Sequence, residues 1–318
     1  MKYIIIDLEW NQPAAGQKAL EKPFFFQSEI IEIGAIRLND CFEPEDEFRM
    51  FVKPQFYPIL NGKIAGLTKI RPQMLKNAPT FPEAYTAFAQ WCGEQSCLCS
   101  WGPDDIPVLL DNMLMHTLPI PSGVIWCDLQ QIFGIEAMCD NRQWSLENAV
   151  SILGLQKDRS HDALNDVRNT FRVCDRVGVF SFLEEYRTSC IHYGQDRLYG
   201  LTDGKDYPSF EDALQDPFVS SISCPYCGEQ VALSEWVPEV RNSSFSYGCC
   251  REGDELLVRF IRRKKFGSSH VIISRKAFEM NSFLWDQYQD ALDFAQDPVL
   301  PGSYSSAPGT SPSLAIAC

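Results

Sequence analysis

Apolar residues in the first fifty positions follow the patterns of β-strands. Residues 3–6 form a continuous apolar run, which predicts a buried strand, and residues 29–38 mix apolar runs with period-two alternation, which predicts a second strand. A third predicted strand at 48–54 ends at Pro54, because proline cannot donate a ladder hydrogen bond. No helical period separates these segments, so we expect an antiparallel meander.

From residue 81 onward, apolar positions recur at helical spacing, and short apolar runs lie between the helical segments. Helices are expected at 81–92, 104–115, 128–133, 145–153 and 162–177, and strands at 97–101 and 124–127. A meander followed by alternating helices and strands predicts an α/β domain with a mixed sheet. We expect this domain to span residues 1–190.

The composition changes after residue 190. Residues 191–220 are rich in glycine, aspartate and proline and are predicted to form a linker. Residues 221–280 combine cysteine, β-branched and basic residues, which indicates a small β-rich module. The segment 281–318 is expected to hold a helical stretch followed by a disordered tail, because its end consists mainly of proline, glycine, serine and alanine.

The charge balance limits how the chain can bind its partners. Its 318 residues include 28 Lys+Arg and 42 Asp+Glu, which gives a net charge of −14. So acidic a protein gains little from bulk attraction to a polyanion, and any nucleic-acid contact must be local or metal-assisted. The 45% hydrophobic content supports a sizeable core, and we expect a cytoplasmic protein without a membrane span. Most of the 13 cysteines are then expected to be reduced thiols.

Two acidic side chains follow the first predicted strand directly. Asp7 and Glu9 are separated by one residue, so both project from the same face of the strand. Two neighbouring carboxylates repel each other unless a cation or a proton lies between them, and hard oxygen ligands suit Mg²⁺ or Mn²⁺. The alternative is an ordinary solvated strand end.

Two more acidic segments lie at predicted helix starts. Asp104 and Asp105 follow a buried strand, where one of the two carboxylates can serve simply to cap a helix. His161 precedes Asp166 by about one helical turn, and Asp166 lies beside the apolar stripe of its helix, so its carboxylate needs a partner. An exposed histidine and a surface aspartate would explain the same residues without a function.

Taken together, these residues favour a metal-dependent hydrolase. Carboxylates at strand ends and helix starts of one α/β sheet meet at the edge where such folds place their sites. Two divalent ions about 3.5–4 Å apart can align a water molecule and stabilise the leaving oxygen in phosphodiester hydrolysis. A histidine that titrates near neutrality can accept the proton from that water molecule.

The order and spacing of these motifs resemble the DEDDh 3′→5′ exonucleases, a superfamily that includes proofreading exonucleases and ribonuclease T. The likeness covers about residues 1–180 and consists of Asp7-x-Glu9, Trp-Gly-x-x-Asp105 and His161-x-x-x-x-Asp166. The second motif looks most like the RNA-processing and sporulation-inhibitor-like branch. The resemblance implies a ribonuclease-H-like fold, with a five-stranded mixed sheet and helices on both faces.

The resemblance also implies a role for each matched residue. The implied ligands of two Mg²⁺ or Mn²⁺ ions are Asp7, Glu9, Asp105 and Asp166, with Asp7 bridging, and the implied general base is His161. Leu8, Leu67 and Thr68 would meet the terminal nucleotide. The chain departs from the pattern twice: Asp104 competes with its neighbour for the second motif, and Asp162 stands where an arginine commonly follows the histidine. Neither departure removes a ligand, so we expect activity.

The expected reaction is the release of nucleoside 5′-monophosphates from single-stranded 3′ ends of RNA or DNA. A pocket at a sheet edge admits an unstacked terminal nucleotide and excludes a duplex. Two alternatives share the fold. A non-catalytic nucleic-acid-binding regulator should have lost some of the ligands, all of which are present. A proofreading subunit of a DNA polymerase would differ only in its partner, and the cysteine-containing module is a weak argument against it.

The C-terminal module contains a candidate zinc site. Cys224-x-x-Cys227 has the knuckle spacing in which two thiolates bind one Zn²⁺, and Cys249 and Cys250 follow at ribbon distance. Adjacent cysteines point to opposite sides of a strand, so one of this pair is expected to bind, with His270 as a candidate fourth ligand. The module thus resembles a zinc ribbon with a degenerate second half. A ribbon that has lost its metal is the alternative.

A basic run follows the second cysteine pair. Five basic residues lie at 259–266, together with Phe260 and Phe266. Such a run can follow a phosphate backbone and stack bases, although it is more often the solvated face of a hairpin. On the first interpretation, the module would hold nucleic acid, and a protein partner is the other candidate.

Overall fold

The computed structural model describes residues 1–121, 124–140, 142–191, 205–239, 242–264 and 268–296. The strands in these ranges are β1 Lys2–Asn11, β2 Glu29–Leu38, β3 Pro44–Phe51, β4 Ser96–Ser100, β5 Val124–Asp128, β6 Thr188–Ile191, β7 Lys205–Tyr207, β8 Ser221–Ser223, β9 Gln230–Ala232, β10 Val237–Pro238, β11 Ser243–Cys249, β12 Glu255–Lys264 and β13 Val271–Glu279. The α-helices in these ranges are α1 Gly62–Thr68, α2 Pro72–Lys76, α3 Phe81–Cys92, α4 Asp105–Met115, α5 Leu129–Ile132, α6 Leu146–Ile152, α7 Ala163–Val177, α8 Leu183–Tyr186, α9 Phe210–Leu214, α10 Pro217–Ser220 and α11 Ser282–Gln296. A π-helical turn, Phe133–Ala137, follows α5, and a 3-10 helix, Val179–Phe182, precedes α8.

The first five strands form the mixed sheet that the sequence predicts. Their spatial order is β3-β2-β1-β4-β5. The three strands of the meander pair antiparallel, and β1, β4 and β5 pair parallel. Helices cover both faces, so the expected fold class is confirmed for this part of the chain.

Strand β1 is the central strand of this sheet, and both of its faces are buried. Tyr3 and Ile5 pack on the face covered by α5, α6 and α7, and Ile4 and Ile6 pack on the face covered by α3 and α4. A strand that is buried on both faces has a continuous run of apolar residues in its sequence, which is why residues 3–6 do not alternate between apolar and polar residues. Asp7 continues the register of Ile5 and therefore lies on the face that α7 covers.

The start of helix α7 lies very close to the sheet. A Cβ atom added at Gly34 would lie 2.4 Å from the Ala163 backbone carbon, so a side chain at this position would displace the helix. Gly34 pairs directly with Asp7 in the β1–β2 ladder. The absence of a side chain at Gly34 thus allows the first turn of α7 to reach the carboxylates of β1.

The sheet does not end at β5. Strand β6 pairs antiparallel with β5, β13 pairs with β6, and β12, β11 and β10 follow in order, with β7 pairing on β13. Within the described ranges, eleven strands therefore form one sheet that runs from the N-terminal domain into the C-terminal module. The sequence interpretation, in which the two parts are joined by a linker, did not include this continuity.

The predicted linker at 191–220 is largely structured where it is described. Residues 192–204 lie outside the described residues. Residues 205–220 contain β7, α9 and α10, and their Tyr207, Ala213 and Phe218 join the buried core of the module. The glycine, aspartate and proline residues here connect very short elements, and their composition is easily mistaken for that of a linker.

The end of the chain is helical where it is described. The expected helical stretch is α11, which packs on β10 and β11 through Leu284, Tyr288 and Ala291. The predicted disordered tail, 297–318, lies outside the described residues. Among the described residues, no helix combines the length and the apolar character that a membrane crossing would need.

Candidate active site

Two of the three acidic segments meet where the second half of β1 lies against the start of α4. The backbone N–H of Leu8 donates a 2.9 Å hydrogen bond to Oδ1 of Asp105, which joins the Asp7–Glu9 segment to the helix start. Asp105 is buried, whereas Asp104 is exposed and its side chain makes no capping hydrogen bond. Of the two aspartates, the structure therefore brings Asp105 to the carboxylates of β1.

The third segment brings His161 and Asp166 to the same place. Ligand atoms of Glu9, His161 and Asp166 all lie within 4.8 Å of one another. The backbone N–H of His161 donates a 2.7 Å hydrogen bond to Oδ2 of Asp166, and Asp166 itself is buried in the first turn of α7. His161 has a φ of 61° and an exposed residue surface, so its ring can reach a water molecule near the carboxylates.

Asp162, the acidic residue beside His161, has two partners. Its Oδ1 accepts a hydrogen bond from the N–H of Asn165 and caps α7, and its Oδ2 accepts a 2.7 Å hydrogen bond from Arg49 on β3. The same Arg49 also pairs with Glu32, whose side chain is 1% exposed. Arg49 therefore offsets part of the extra charge that the sequence places beside the histidine, and it ties the His161 turn to the sheet.

The pKa values of the clustered carboxyl groups are raised. Burial raises the pKa of Glu9 to about 8, and the charges of Asp166 and Glu32 add to the effect. Burial raises the pKa of Asp105 to about 7, although the hydrogen bond from Leu8 opposes the shift. Burial and then the charge of Asp105 raise the pKa of Asp7 well above its ordinary value. Burial also raises the pKa of Asp166.

These shifts have one physical cause. Several carboxylates are held together, away from water, with too few cationic side chains to balance them. Divalent cations bound by carboxylate oxygens would remove both the repulsion and the cost of burial. The donor set Asp7, Glu9, Asp105 and Asp166 therefore fits Mg²⁺ or Mn²⁺.

A stability measurement can detect this repulsion without any activity assay. We expect Asp7→Asn to stabilise the protein when no Mg²⁺ or Mn²⁺ is present. The pKa of Asp7 is raised in the folded chain, so above the unfolded pKa of about 4 the folded state keeps a proton that the unfolded state has lost. Folding becomes less favourable as the pH rises through this window, and asparagine removes that cost, which we expect to be about 1–3 kcal/mol at pH 8.

The measurement is thermal unfolding of both proteins at pH 5 and pH 8 in buffer free of both cations. The gain in melting temperature from Asp7→Asn should be larger at pH 8. The exposed Asp104 provides the matched control, and Asp104→Asn should change the melting temperature little. A wild-type protein more stable than Asp7→Asn at pH 8 would contradict the assignment of repulsion to this cluster.

The residues implied in contacting the nucleotide differ in exposure. The Leu8 side chain is 3% exposed and packs in the core against α4, so only its backbone faces the cluster. The Thr68 hydroxyl donates to the carbonyl oxygen of Ile64 and accepts from the N–H of Ile70, which leaves it buried at the end of α1. Leu67 is 48% exposed and offers an apolar surface.

A second cluster of metal-ligating residues lies in the C-terminal module. The structure brings together Cys224, Cys227, Cys250 and Asp254, whose ligand atoms all lie within 4.8 Å of one another. Cys224 and Cys227 lie in the turn between β8 and β9, and Cys250 and Asp254 lie in the turn between β11 and β12. The thiols of Cys224 and Cys250 are 3.2 Å and 3.0 Å from Oδ2 of Asp254.

The structure does not place Cys249 or His270 in this second cluster. The Cys249 side chain contacts the backbone oxygen of Cys250 and lies on the exposed side of the turn, as expected for one of two adjacent cysteines. Nδ1 of His270 lies 2.8 Å from a carboxylate oxygen of Asp206. The fourth member, Asp254, was missed in the sequence, although an acidic residue four positions after a candidate ligand cysteine was an available signal.

The basic run is divided between two environments. Phe260 is fully buried and stacks on Trp236 at 4.3 Å between ring centroids, so it cannot stack a base. Arg259 is half-buried, whereas Arg262 and Arg263 are exposed. The other aromatic residue of the run, Phe266, lies outside the described residues. Base stacking by Phe260, which the sequence left open as the less favoured interpretation, is therefore excluded.

Comparisons with known proteins point in the same direction as this geometry. The chain is 26% identical over 202 residues to ERI1 exoribonuclease 2 of Danio rerio, a match that covers 55% of this chain and 34% of that protein. It is 27% identical over 119 residues to the probable 3′-5′ exonuclease KapD of Bacillus subtilis, covering 37% of this chain and 56% of that protein. The chain thus matches between a third and somewhat over half of the length of these relatives.

The fold has solved counterparts. A crystal structure of a full-length 3′-exonuclease superposes with a TM-score of 0.52 at 24% identity and covers 61% of this chain and 88% of that chain. The sequence pattern of the RNase_T exonuclease family matches residues 4–174, which include all five candidate active-site residues. Since that match spans more than half of the sequence, the chain belongs to the RNase_T exonuclease family.

Proposed function

We propose that the chain is a metal-dependent 3′→5′ exonuclease that releases nucleoside 5′-monophosphates from single-stranded nucleic-acid ends. One observation carries the proposal. Three separate segments bring Asp7, Glu9, Asp105 and Asp166 together beside the exposed His161, and burial and mutual repulsion leave this cluster in need of cations.

Each side chain has a distinct role in this proposal. Asp7, Glu9 and Asp166 would hold one divalent cation, and Asp7 and Asp105 would hold a second. When bound, the two cations would supply positive charge to the scissile phosphate and to the leaving oxygen. His161 would take the proton from the attacking water molecule, a role that suits an exposed imidazole beside the carboxylates.

The turn that carries His161 is fixed by hydrogen bonds, and the side chain is exposed. The N–H of His161 is held by Asp166, and the neighbouring Asp162 is held by Arg49. The backbone position of the base is therefore set before substrate binds, which lowers the entropic cost of aligning it with the water molecule.

The direct test is digestion of matched oligonucleotides, RNA and DNA, labelled at the 5′ or the 3′ end. With Mn²⁺ or Mg²⁺, a 5′ label should give a ladder of products shortened one nucleotide at a time. A 3′ label should appear at once as a mononucleotide. Internal cleavage, degradation from the 5′ end, or full activity in the presence of a chelator would refute the proposal. The ratio of RNA to DNA turnover would also give the sugar preference.

We further propose that the module holds one Zn²⁺ ion through Cys224, Cys227, Cys250 and Asp254. Three thiolates and one carboxylate are a suitable donor set for zinc. Ligands about 2.0–2.3 Å from such an ion lie about 3.3–3.8 Å apart at tetrahedral angles. The ligand atoms of this cluster lie between 3.0 Å and 4.8 Å apart, so small adjustments of the two turns would suffice. The ion would join the β8–β9 turn to the β11–β12 turn and stabilise a small module.

The adjacent cysteines provide a matched pair of variants for this zinc proposal. Cys250→Ser should lose zinc, measured by elemental analysis of freshly purified protein that has not met a chelator. Cys249→Ser should retain about one equivalent, because the Cys249 thiol lies outside the cluster. Zinc-free wild-type protein, or equal zinc loss in the two variants, would contradict this proposal.

A further inference from the structure

A cavity of about 430 Å³ lies where the N-terminal domain meets the C-terminal module. Its walls come from α4 and β5 on one side and from β11, β12, β13 and α11 on the other. The volume is in the range of about 300–1,000 Å³ that is usual for small-molecule sites. Part of the cavity is therefore built by residues beyond those that the family pattern matches.

One end of the cavity adjoins the candidate active site. Asp105 and Ile106 are consecutive in the first turn of α4. The side chain of Asp105 faces the acidic segment of β1, whereas Ile106 lines the cavity. Pro103 and Asp128 line the same end. Asp128 accepts a hydrogen bond from the N–H of Gly102, so this end is rigid and carries a carboxylate.

The opposite end of the cavity is basic. Phe245, Arg259 and Lys276 are directly opposite one another on the neighbouring strands β11, β12 and β13, and all three line the cavity. Two cations at directly opposed positions repel each other unless an anion lies between them. Arg259 pairs with Glu239 at 2.9 Å, whereas no partner of the exposed Lys276 is found among the described residues.

Two buried hydrogen-bond donors of the cavity walls also lack partners. Nε1 of Trp126 and Nε of Arg259 are inaccessible to solvent, and neither has an acceptor among the described residues. A buried donor without an acceptor is costly, and such donors are normally satisfied. Both atoms are closed off from the open volume of the cavity, so these two donors do not by themselves specify a ligand.

The remaining walls are largely aromatic. The half-buried Phe278, Phe283 and Trp126 contribute ring surface, whereas Phe245 and Tyr186 border the cavity but are buried. The apolar rings and the two basic side chains Arg259 and Lys276 together favour a ligand with a planar ring system and a negative charge. A nucleotide has both features, with its base for the rings and its phosphate for the cations.

We propose that this cavity binds a nucleotide of the substrate strand, upstream of the nucleotide that is cleaved, with a phosphate at Arg259 and Lys276. The inference rests on the proposed exonuclease activity, because a strand must leave the cluster at Asp105 to enter the cavity beside it. The acidic chain would thus hold the strand at one local basic site, although its net charge is −14. The module would then contribute to substrate affinity and leave the chemistry to the first domain.

The test compares substrates that reach the cavity with one that does not. The short substrate is the p-nitrophenyl ester of thymidine 5′-monophosphate, which occupies the cleavage site alone. The long substrates are single-stranded oligonucleotides of increasing length. The variants are Lys276→Glu, Lys276→Arg as the conservative exchange, and Lys2→Glu as a control with the same charge change at an exposed lysine at the opposite end of β1.

Lys276→Glu should raise KM for the long oligonucleotides about tenfold or more, in line with the loss of one charge-assisted phosphate contact. The salt dependence of binding should also weaken by about one phosphate contact. Turnover of the ester should not change, and Lys276→Arg should keep the wild-type KM. Unchanged KM for oligonucleotides, an equal effect on ester and oligonucleotides, or the same effect from Lys2→Glu would overturn the proposal.

Two further outcomes distinguish this proposal from binding of the free product and from failure of the exonuclease proposal. In the first outcome, adenosine 5′-monophosphate binds the wild-type protein in calorimetry but does not bind Lys276→Glu, and the KM for oligonucleotides is the same in both proteins. The cavity would then bind the free product, and the proposal would be refuted. If the wild-type protein hydrolyses neither substrate, the exonuclease proposal fails. The cavity is then judged by fluorescence anisotropy, in which Lys276→Glu must weaken oligonucleotide binding relative to Lys2→Glu.

Discussion

Asp7→Asn is expected to lower nucleic-acid hydrolysis by about 10³-fold or more. Asp7 is the carboxylate assigned to both cations, and cation chemistry of this kind is worth several kcal/mol in the transition state. Asparagine keeps the shape of the side chain and removes its charge, so the fold is expected to survive. The measurement is the initial rate on a 5′-labelled oligonucleotide with Mn²⁺, together with a circular dichroism spectrum of the variant.

The neighbouring pair Asp104 and Asp105 gives an internal control for this experiment. Asp105→Asn should also cause a large loss of activity, because its carboxylate is buried and bonded to the backbone of Leu8. Asp104→Asn makes the same chemical change one residue away, at an exposed side chain, and should leave the rate within about twofold. Near-normal turnover in Asp7→Asn, or equal losses in the aspartate pair, would contradict the assigned ligands.

His161→Ala is expected to slow hydrolysis by about 10²–10⁴-fold, the usual effect of removing a positioned general base. The loss should appear in kcat and leave KM nearly unchanged, because the ring is assigned to the proton and not to the strand. The acid limb of the pH profile of kcat should also change, since it reports the group that must be unprotonated to accept the proton. These quantities require rates measured from pH 5 to pH 9.

His270→Ala is the matched histidine variant. This residue is paired with Asp206 in the module and lies outside the candidate active site, so its loss should change neither kcat nor the pH profile. A His161→Ala enzyme with the wild-type profile would exclude His161 as the base. A large rise in KM with unchanged kcat would instead assign it to strand binding.

The elements with strong periodicity and clear ends were predictable from the sequence. The second strand and the helix at 81–92 have the predicted bounds. The helix begins at a Thr80–Glu83 capping box and stops at Gly93, which has a positive φ. Local signals of this kind need no tertiary information, so patterns in the sequence suffice.

Strand β1 shows where periodicity alone falls short. The continuous apolar run covers only residues 3–6, whereas the strand continues to Asn11. Its polar end is held by pairing with β2 and by the buried Asn11, which donates to the carbonyl oxygens of Tyr57 and Ile59. The acidic motif therefore lies within the strand, and this long-range pairing keeps its side chains in register.

The junction between the two parts of the chain was not predictable from residue types. It depends on backbone pairing such as that of Ala277 with Ile191, between short strands far apart in the sequence. Backbone hydrogen bonds carry little side-chain signature. The membership of Asp254 in the cysteine cluster has a similar origin, because its approach to Cys224 depends on two turns from different hairpins.

The pairing of β6 with β5 has a practical consequence for anyone who wishes to isolate the catalytic part. The family match ends at residue 174, but a fragment cut there would uncover the backbone donors and acceptors of β5. An uncovered strand of this kind tends to recruit a second molecule, which leads to aggregation. The boundary of homology is therefore a poor choice for truncation, and the smallest well-behaved fragment should retain the strands of the module.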